Sequence, residues 1–354
     1  MERKNLTPLT IAAVYVGTVV GAGFASGQEV LQFFAFFGLK SVPALLLAGF
    51  LFIFFGRIIL GLGYQLQAKT YSSIVRYAVG RFLGGVVEGI ITFFLFGALT
   101  AMAAGAGAIF AEQFGLPKAA GSISMIITSL LTVLLGFHGV VMAISFVVPV
   151  LLISVLGLSA ATLANTPIDF EAVKLWATAA KPAIPLWPVS ALAYVSYNII
   201  LSLCILAPLG SRAASTAVTA KGALWGGLGL FLGALAINFA ILTFPSRAAR
   251  LEIPMVYIAG QFSPLVQAGY ALVLLAEIYT TAVANLYGFT ARLAPSETPR
   301  FKQTAAATAV AAFIASLLGF SALVRYLYST VGIAGFLFLG GLTYRFLQKE
   351  FTRV

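Results

Sequence analysis

Ten apolar runs, each separated from the next by a few polar or charged residues, fill most of the chain: roughly 8–37, 41–66, 85–113, 119–136, 139–164, 185–209, 220–244, 263–291, 302–320 and 324–347. Most are long enough, as helices, to cross a hydrocarbon core of about 30 Å. None alternates with the period of an outer-membrane barrel strand. The pattern predicts an all-α integral membrane protein of about ten transmembrane helices. Connections are short except 165–184, where Asn165, Pro167, Asp169, Glu171, Lys174 and Lys181 surround an amphipathic piece containing Trp176, expected to lie on the surface.

Composition agrees: 61% of the 354 residues are hydrophobic and 9% charged, with a mean hydropathy of +1.03, a balance foreign to soluble globular domains. The first run is too long for a cleaved leader and carries Glu29. The net charge of +11 is spread over the loops in ones to threes, which does not make a nucleic-acid face. With the amino terminus inside, fourteen of the 21 Lys and Arg fall on that side: Arg3, Lys4, Arg57, Lys69, Arg76, Arg81, Arg212, Lys221, Arg292, Arg300, Lys302, Arg345, Lys349 and Arg353. That excess places both termini in the cytoplasm and the chain in the plasma membrane. The one cysteine, Cys204, excludes an internal disulfide, and the one histidine, His138, excludes a multi-histidine metal centre.

Sliding the chain by half its length, 177 residues, lays the second run on the seventh and the third on the eighth. Five spans repeat, and an odd number per repeat puts the halves in opposite orientations, as in many secondary transporters. The division is residues 1–165 for the first five-helix repeat, 166–184 for an extracellular connection and 185–354 for the second repeat. Identity between the halves is negligible, so the match is one of span length. The same shift carries Gly21 onto Asn198, which predicts a second interruption within Tyr194–Ile199.

Four places could carry function. A straight helix over 8–37 would be about 45 Å long at 1.5 Å per residue, too long for the bilayer, so two half-helices joined through Gly21, Ala22, Gly23, Ser26 and Gly27 fit better. Freed amides there, with the positive end of the outer half-helix, suit a carboxylate; alternatively the glycines only let helices pack closely. Glu29 follows directly. Glu277 lies mid-span, thirteen residues after Pro264 and fifteen before Arg292, on a stripe with Tyr270, Thr281 and Asn285 and beside Thr280. Such a carboxyl is a proton carrier, a cation ligand, or a hydrogen-bonded structural acid. Tyr194, Ser196, Tyr197, Asn198 and Ser202 form a polar set in the sixth run, lining a ligand or joining helices. Glu88 and Glu112 sit near the ends of the third run, within reach of water.

The run Val20-Gly21-Ala22-Gly23-Phe24-Ala25-Ser26-Gly27-Gln28-Glu29 resembles that of the YkvI-type candidate amino-acid permeases, a branch of the amino acid, polyamine and organocation superfamily. The likeness covers the whole chain in span number and length; the specific motif is confined to the first span. It implies the fold of the bacterial leucine transporter, with five-plus-five inverted repeats and broken helices one and six. It also implies a sodium site of two first-span carbonyls, at Gly17 and Val20, and of eighth-span groups, at Glu277, Thr280 and Thr281. Glutamate at 277 departs from the small residue usual there, leaving Na+ or H+ as the coupling ion, and the sixth span lacks the expected glycine.

The expected activity is ion-coupled symport of a small zwitterion, an amino acid first. Gly21, Ala22, Gly23, Ser26 and Gly27 would bind it together with Glu29, Tyr197 and Asn198. A nucleobase or organic cation is the nearest rival cargo. A channel would need a continuous polar path, and an enzyme would need a nucleophile with its base; neither is visible, and no cofactor is implied.

Overall fold

A computed structural model of the protein describes residues 6–68, 70–135, 147–295 and 298–351. His138, the start of the fifth apolar run, Arg3, Lys4, Lys69 and Arg353 lie outside them. The described chain is helical, with a single isolated bridge between Leu6 and Ala213 and no strand.

The first apolar run is not one helix. It divides into α1 (Pro8–Val19), α2 (Ala22–Ala25), α3 (Gln28–Phe33) and a 3-10 segment Ala35–Lys40. Proline at the start and the Thr7 side chain accepting from Thr10 N–H open α1. It stops where Val20 and Gly21 turn extended, with ψ of 106° and −171°. A second break follows at Gly27, whose φ of 80° is left-handed; glycine adopts this region freely, whereas a Cβ costs about 1–2 kcal/mol.

The second and third runs form α4 (Ser41–Gln65) and α5 (Ser72–Phe114). α5 begins thirteen residues before the apolar run because a short helix, ending at Gly80 with φ of 77°, precedes the span. Next come α6 (Lys118–Leu134) and α7 (Val147–Asn165), then α8 (Phe170–Ala179), the amphipathic connection, bent by 118° from the helix before it. Asp169 caps α8 by accepting from the Glu171 and Ala172 amides at 3.0 Å, and Trp176 stacks on Phe36.

The sixth run is α9 (Trp187–Ser211), and the seventh is α10 (Thr216–Leu242). The predicted interruption at Tyr194–Ile199 is absent: helix runs through it unbroken. With no glycine to open the chain, Asn198 Nδ2 donates to Tyr194 O at 2.9 Å and Ser202 Oγ to Ile199 O at 3.1 Å, so these polar groups reinforce the helix they were expected to break.

Between α10 and α13 (Pro264–Leu293) the connection is not short; it folds as α11 (Pro245–Ala248) and α12 (Pro254–Gly260), each opened by a proline. α14 (Pro299–Ser316) follows. The last run is α15 (Phe320–Ala322), a π-helical segment Leu323–Tyr328, α16 (Ser329–Ala334) and α17 (Phe336–Phe351). Six helices among the described residues are long and apolar enough to cross a membrane, seven if the bent pair counts as one. The expected ten included the first run, whose pieces are each too short.

α4 packs between α9 and α10, while α5 packs on α6, α13 and α14. α4 and α9 cross closely because glycines face each other's backbones. A Cβ at Gly63 would stand 2.4 Å from Ala207 O, and one at Gly210 would stand 2.3 Å from Leu60 O. Small residues at such a crossing give dispersion contacts that lipid cannot match.

Candidate functional site

The breaks in the first run lie against α9 on one side and α13 on the other. Glu29, in the first turn of α3, is 6% exposed. Its Oε2 accepts from Tyr197 OH of α9 at 2.6 Å, and its Oε1 lies over Gly23, where a methyl group would come within 2.0 Å of it. Glycine at 23 is what lets the carboxyl fold back onto the break.

Around this pair stands a shell of aromatic rings. Tyr197 contacts Phe33, Phe94, Tyr194 and Tyr328 at centroid distances of 5.5, 5.7, 5.5 and 5.1 Å. Phe34 and Phe52 close on Tyr194 at 4.9 and 5.9 Å. Tyr194 OH is buried and has no hydrogen-bond partner among the described residues. Nothing in the pattern of the tenth run marked Tyr328, because only the packing of a π-helical turn against α5 and α9 brings it here.

On the opposite side, a Cβ at Gly21 would stand 3.9 Å from Thr281 Oγ1. Thr281 donates to Glu277 Oε1 at 3.4 Å, while Glu277 Oε2 is buried without a partner and the residue is 3% exposed. A buried polar atom left unpaired costs about 1–3 kcal/mol. α1 ends here with Val20 N–H on Val16 O at 2.8 Å, so the carbonyls of Gly17 and its successors are helix-end groups, at the negative end of the helix dipole. Carboxyl, hydroxyl and carbonyl oxygens are the donor set of a hard monovalent or divalent cation.

Several predicted residues take other parts. Thr280 turns its hydroxyl to Glu277 O at 3.0 Å, away from the cluster. Ser26 Oγ donates to Gly23 O at 2.8 Å and accepts from Gln28 N–H at 3.2 Å, so it ties the two short helices together. Its carbonyl accepts from Met255 N–H at 3.0 Å, and Ala25 O accepts from Tyr270 OH at 2.5 Å. The Asn198 side chain is held by its own helix.

Glu112, expected to be solvated, instead accepts from the amides of Glu252 and Ile253 at 2.7 and 3.2 Å, capping the entry to α12. Glu252 in turn pairs with Lys118 at 2.5 Å and accepts from Phe320 N–H at 2.7 Å at the start of α15. These two carboxylates staple the connection 243–263 to the ends of α5 and α6 and to the start of α15. Sequence spacing gave no sign of this, since the partners are 140 and 68 residues apart.

An all-helical chain with a first span broken beside buried carboxyls defines a class, and solved structures share its architecture. MhsT, in complex with L-phenylalanine, matches with a TM-score of 0.61 over 96% of this chain and 89% of that one, at 17% identity. The inward-facing conformation of Mhp1 matches at 0.59 over 93% and 73%, at 17% identity. A Na+-coupled sialic acid symporter in its substrate-bound outward-open state matches at 0.57 over 95% and 79%, at 13% identity. The protein is thus a helical membrane protein of the leucine-transporter fold.

Its sequence narrows this further. The uncharacterized membrane protein YkvI of Bacillus subtilis (strain 168) is 31% identical over 342 residues, covering 97% of each chain, and the chain belongs to the YkvI family. The uncharacterized protein YyaD of the same organism is 28% identical over 349 residues, 94% of this chain and 96% of that one. No protein-family model matches the chain.

Proposed function

We propose that the protein is a secondary active transporter that couples a Na+ or H+ gradient to symport of a small zwitterion, with an amino acid as the first candidate cargo. The observation that carries this reading is the break at Gly21–Gly27 flanked by two buried carboxyls, Glu29 against α9 and Glu277 against α13. Carboxyls held this deep in a membrane protein mark ion or substrate paths. In this reading the freed amides of Gly21, Ala22 and Gly23 and the turn at Ser26 and Gly27 receive the cargo carboxylate, while Glu29 with Tyr197 meets its amino group and Asn198 lines the same face. The coupling ion lies among the Gly17 and Val20 carbonyls, Glu277, Thr281 and, after a rotamer change, Thr280.

Of the structural neighbours, MhsT is in complex with L-phenylalanine, another is a substrate-bound sialic acid symporter, and Mhp1, a nucleobase-cation-symport-1 family transporter, has bromovinylhydantoin bound, so the fold leaves cargo open. The rings around Glu29 favour a cationic group, which makes an organic cation the second candidate. The reading carries with it two inverted five-helix repeats over 1–165 and 185–354 joined by 166–184, a plasma-membrane location with both termini cytoplasmic, a lipid bilayer as the surroundings, no nucleic-acid partner and no enzymatic step.

Coupling requires that ion and cargo bind differently to the outward- and inward-facing states. Purified protein in liposomes, supplied with labelled amino acids under imposed sodium or proton gradients, is expected to accumulate at least one of them. Absence of gradient-dependent uptake for amino acids and organic cations alike would refute the proposal. Glu277→Gln sorts the ion: loss of pH dependence with the sodium response retained assigns the proton to Glu277, whereas loss of the sodium response assigns it the metal ion.

A further inference from the structure

A polar cavity lies apart from the break, where α4 finishes, α10 begins and α17 finishes. It encloses about 410 Å³ and receives Arg57 from α4, Tyr77 from the helix ahead of Gly80, Thr216 and Thr219 from the first turn of α10, and Arg345 from α17. None of the lining residues is acidic. Among the described residues neither arginine has a carboxylate partner; Arg345 donates to Gln348 Oε1 at 3.2 Å. Two guanidinium groups are thus brought to one cavity with no acidic side chain among its lining residues and no ion pair to either among the described residues.

The helix that opens there adds to the same sign. α10 is 27 residues long, and Ser215 caps its Val218 amide at 3.3 Å, which leaves other first-turn amides and the positive dipole end facing the cavity. The remaining walls are apolar: Ile58, Leu62, Leu342 and Phe346. From the cavity an aromatic strip runs along α4, with Phe346 edge-on to Phe54 at 5.6 Å and Phe54 stacked on Phe50 at 6.1 Å. Phe50 is 62% exposed.

We propose that this cavity is a binding site for a phosphate group, gripped by Arg57 and Arg345 and oriented by the first turn of α10. Guanidinium forks match phosphate oxygens two at a time, and basic pockets between membrane helices are suited to anionic headgroups. The phosphate comes either from an anionic phospholipid, whose chains would follow the Phe50–Phe54–Phe346 strip, or from a soluble phosphate compound.

The test uses full-length protein, stripped of lipid in a neutral detergent and followed by its thermal unfolding midpoint. It is titrated separately with short-chain phosphatidylglycerol, inorganic phosphate and short-chain phosphatidylcholine. The wild type is expected to show a saturable upward shift with phosphatidylglycerol at least about tenfold tighter than with phosphatidylcholine. A response to phosphatidylglycerol alone assigns a lipid site, and an equal response to inorganic phosphate assigns a soluble anion. The R57Q/R345Q double variant is expected to weaken either response by about tenfold or more, with R57K/R345K between the two. Should the double variant not fold, R345Q alone carries the comparison, because that side chain is exposed. No saturable shift with either anion, or an equal shift in the glutamine variants, overturns the proposal.

Discussion

The first and sixth apolar runs meet at Glu29 and Tyr197, yet one is broken twice and the other not at all. α1 to α3 carry glycines at both breaks: Gly21 where the chain goes extended and Gly27 where φ is positive. Two of the carbonyls between are taken by other helices, Ala25 O by Tyr270 and Ser26 O by Met255, and the rest by groups of the same short segment. α9 has bulky Tyr194, Val195, Tyr197 and Ile199 at the same station, and its short polar groups bond to its own ladder. A backbone opens inside a membrane only when it can adopt the new conformation and when neighbours satisfy what the opening frees. The first run meets both conditions. The sixth meets neither, so it contributes side chains to the site where the first contributes main chain.

The largest expected effect comes from closing the left-handed break. Gly27→Ala places a Cβ at φ 80°, 2.9 Å from Met255 Cγ and 3.3 Å from Ile241 Cδ1. Backbone strain of about 1–2 kcal/mol and crowding of about 1–3 kcal/mol together predict a marked fall in thermal midpoint and in folded yield from detergent. A midpoint equal to wild type would show that the turn at 27 is not under this constraint.

A smaller effect is expected where the two runs touch. Tyr197→Phe removes the donor to Glu29 and leaves a buried carboxyl oxygen unpaired, about 1–3 kcal/mol. Stability should fall and, if Glu29 serves the cargo, apparent affinity for it should shift while the fold stays intact by circular dichroism. Unchanged stability and unchanged binding would remove Glu29–Tyr197 from the site.

The smallest effect asks whether glycine alone decides. Ser196→Gly in α9 should cost about 0.5–1 kcal/mol, offset in part because the Ser196 hydroxyl is buried without a partner. Amide hydrogen exchange across 194–200 is expected to remain slow. Fast exchange there would mean that α9 stands one substitution from opening, and that the contrast rests on glycine rather than on neighbours.

Much of this was legible in the chain. Hydropathy alone located the apolar runs, the long connection at 165–184 and the amphipathic helix with Trp176, because a helix in lipid must hide its own backbone and can do so only with a sustained apolar exterior. The break at 21–27 was readable since glycine spacing states directly what the backbone can do. The predicted break at 194–199 failed for a definite reason: it came from matching span lengths between halves, and length carries no information about local conformation. The role of Glu112 was unreadable because its partners, the amides of Glu252 and Ile253, become adjacent only after the chain has returned across the molecule.

By itself, then, the sequence determined that this protein is a helical membrane protein, where most of its long apolar helices lie, and that its first apolar run opens at Gly21 and Gly27; each is a property of a short window of residues and the solvent around it. Tertiary structure decided that Glu29 meets Tyr197 inside an aromatic shell, that Thr281 rather than Thr280 turns toward Gly21, and that two arginines 288 residues apart in the chain, Arg57 and Arg345, share one cavity. Those are distances between side chains on separate helices, and helix packing, set by which small and large residues interlock, is what fixes them.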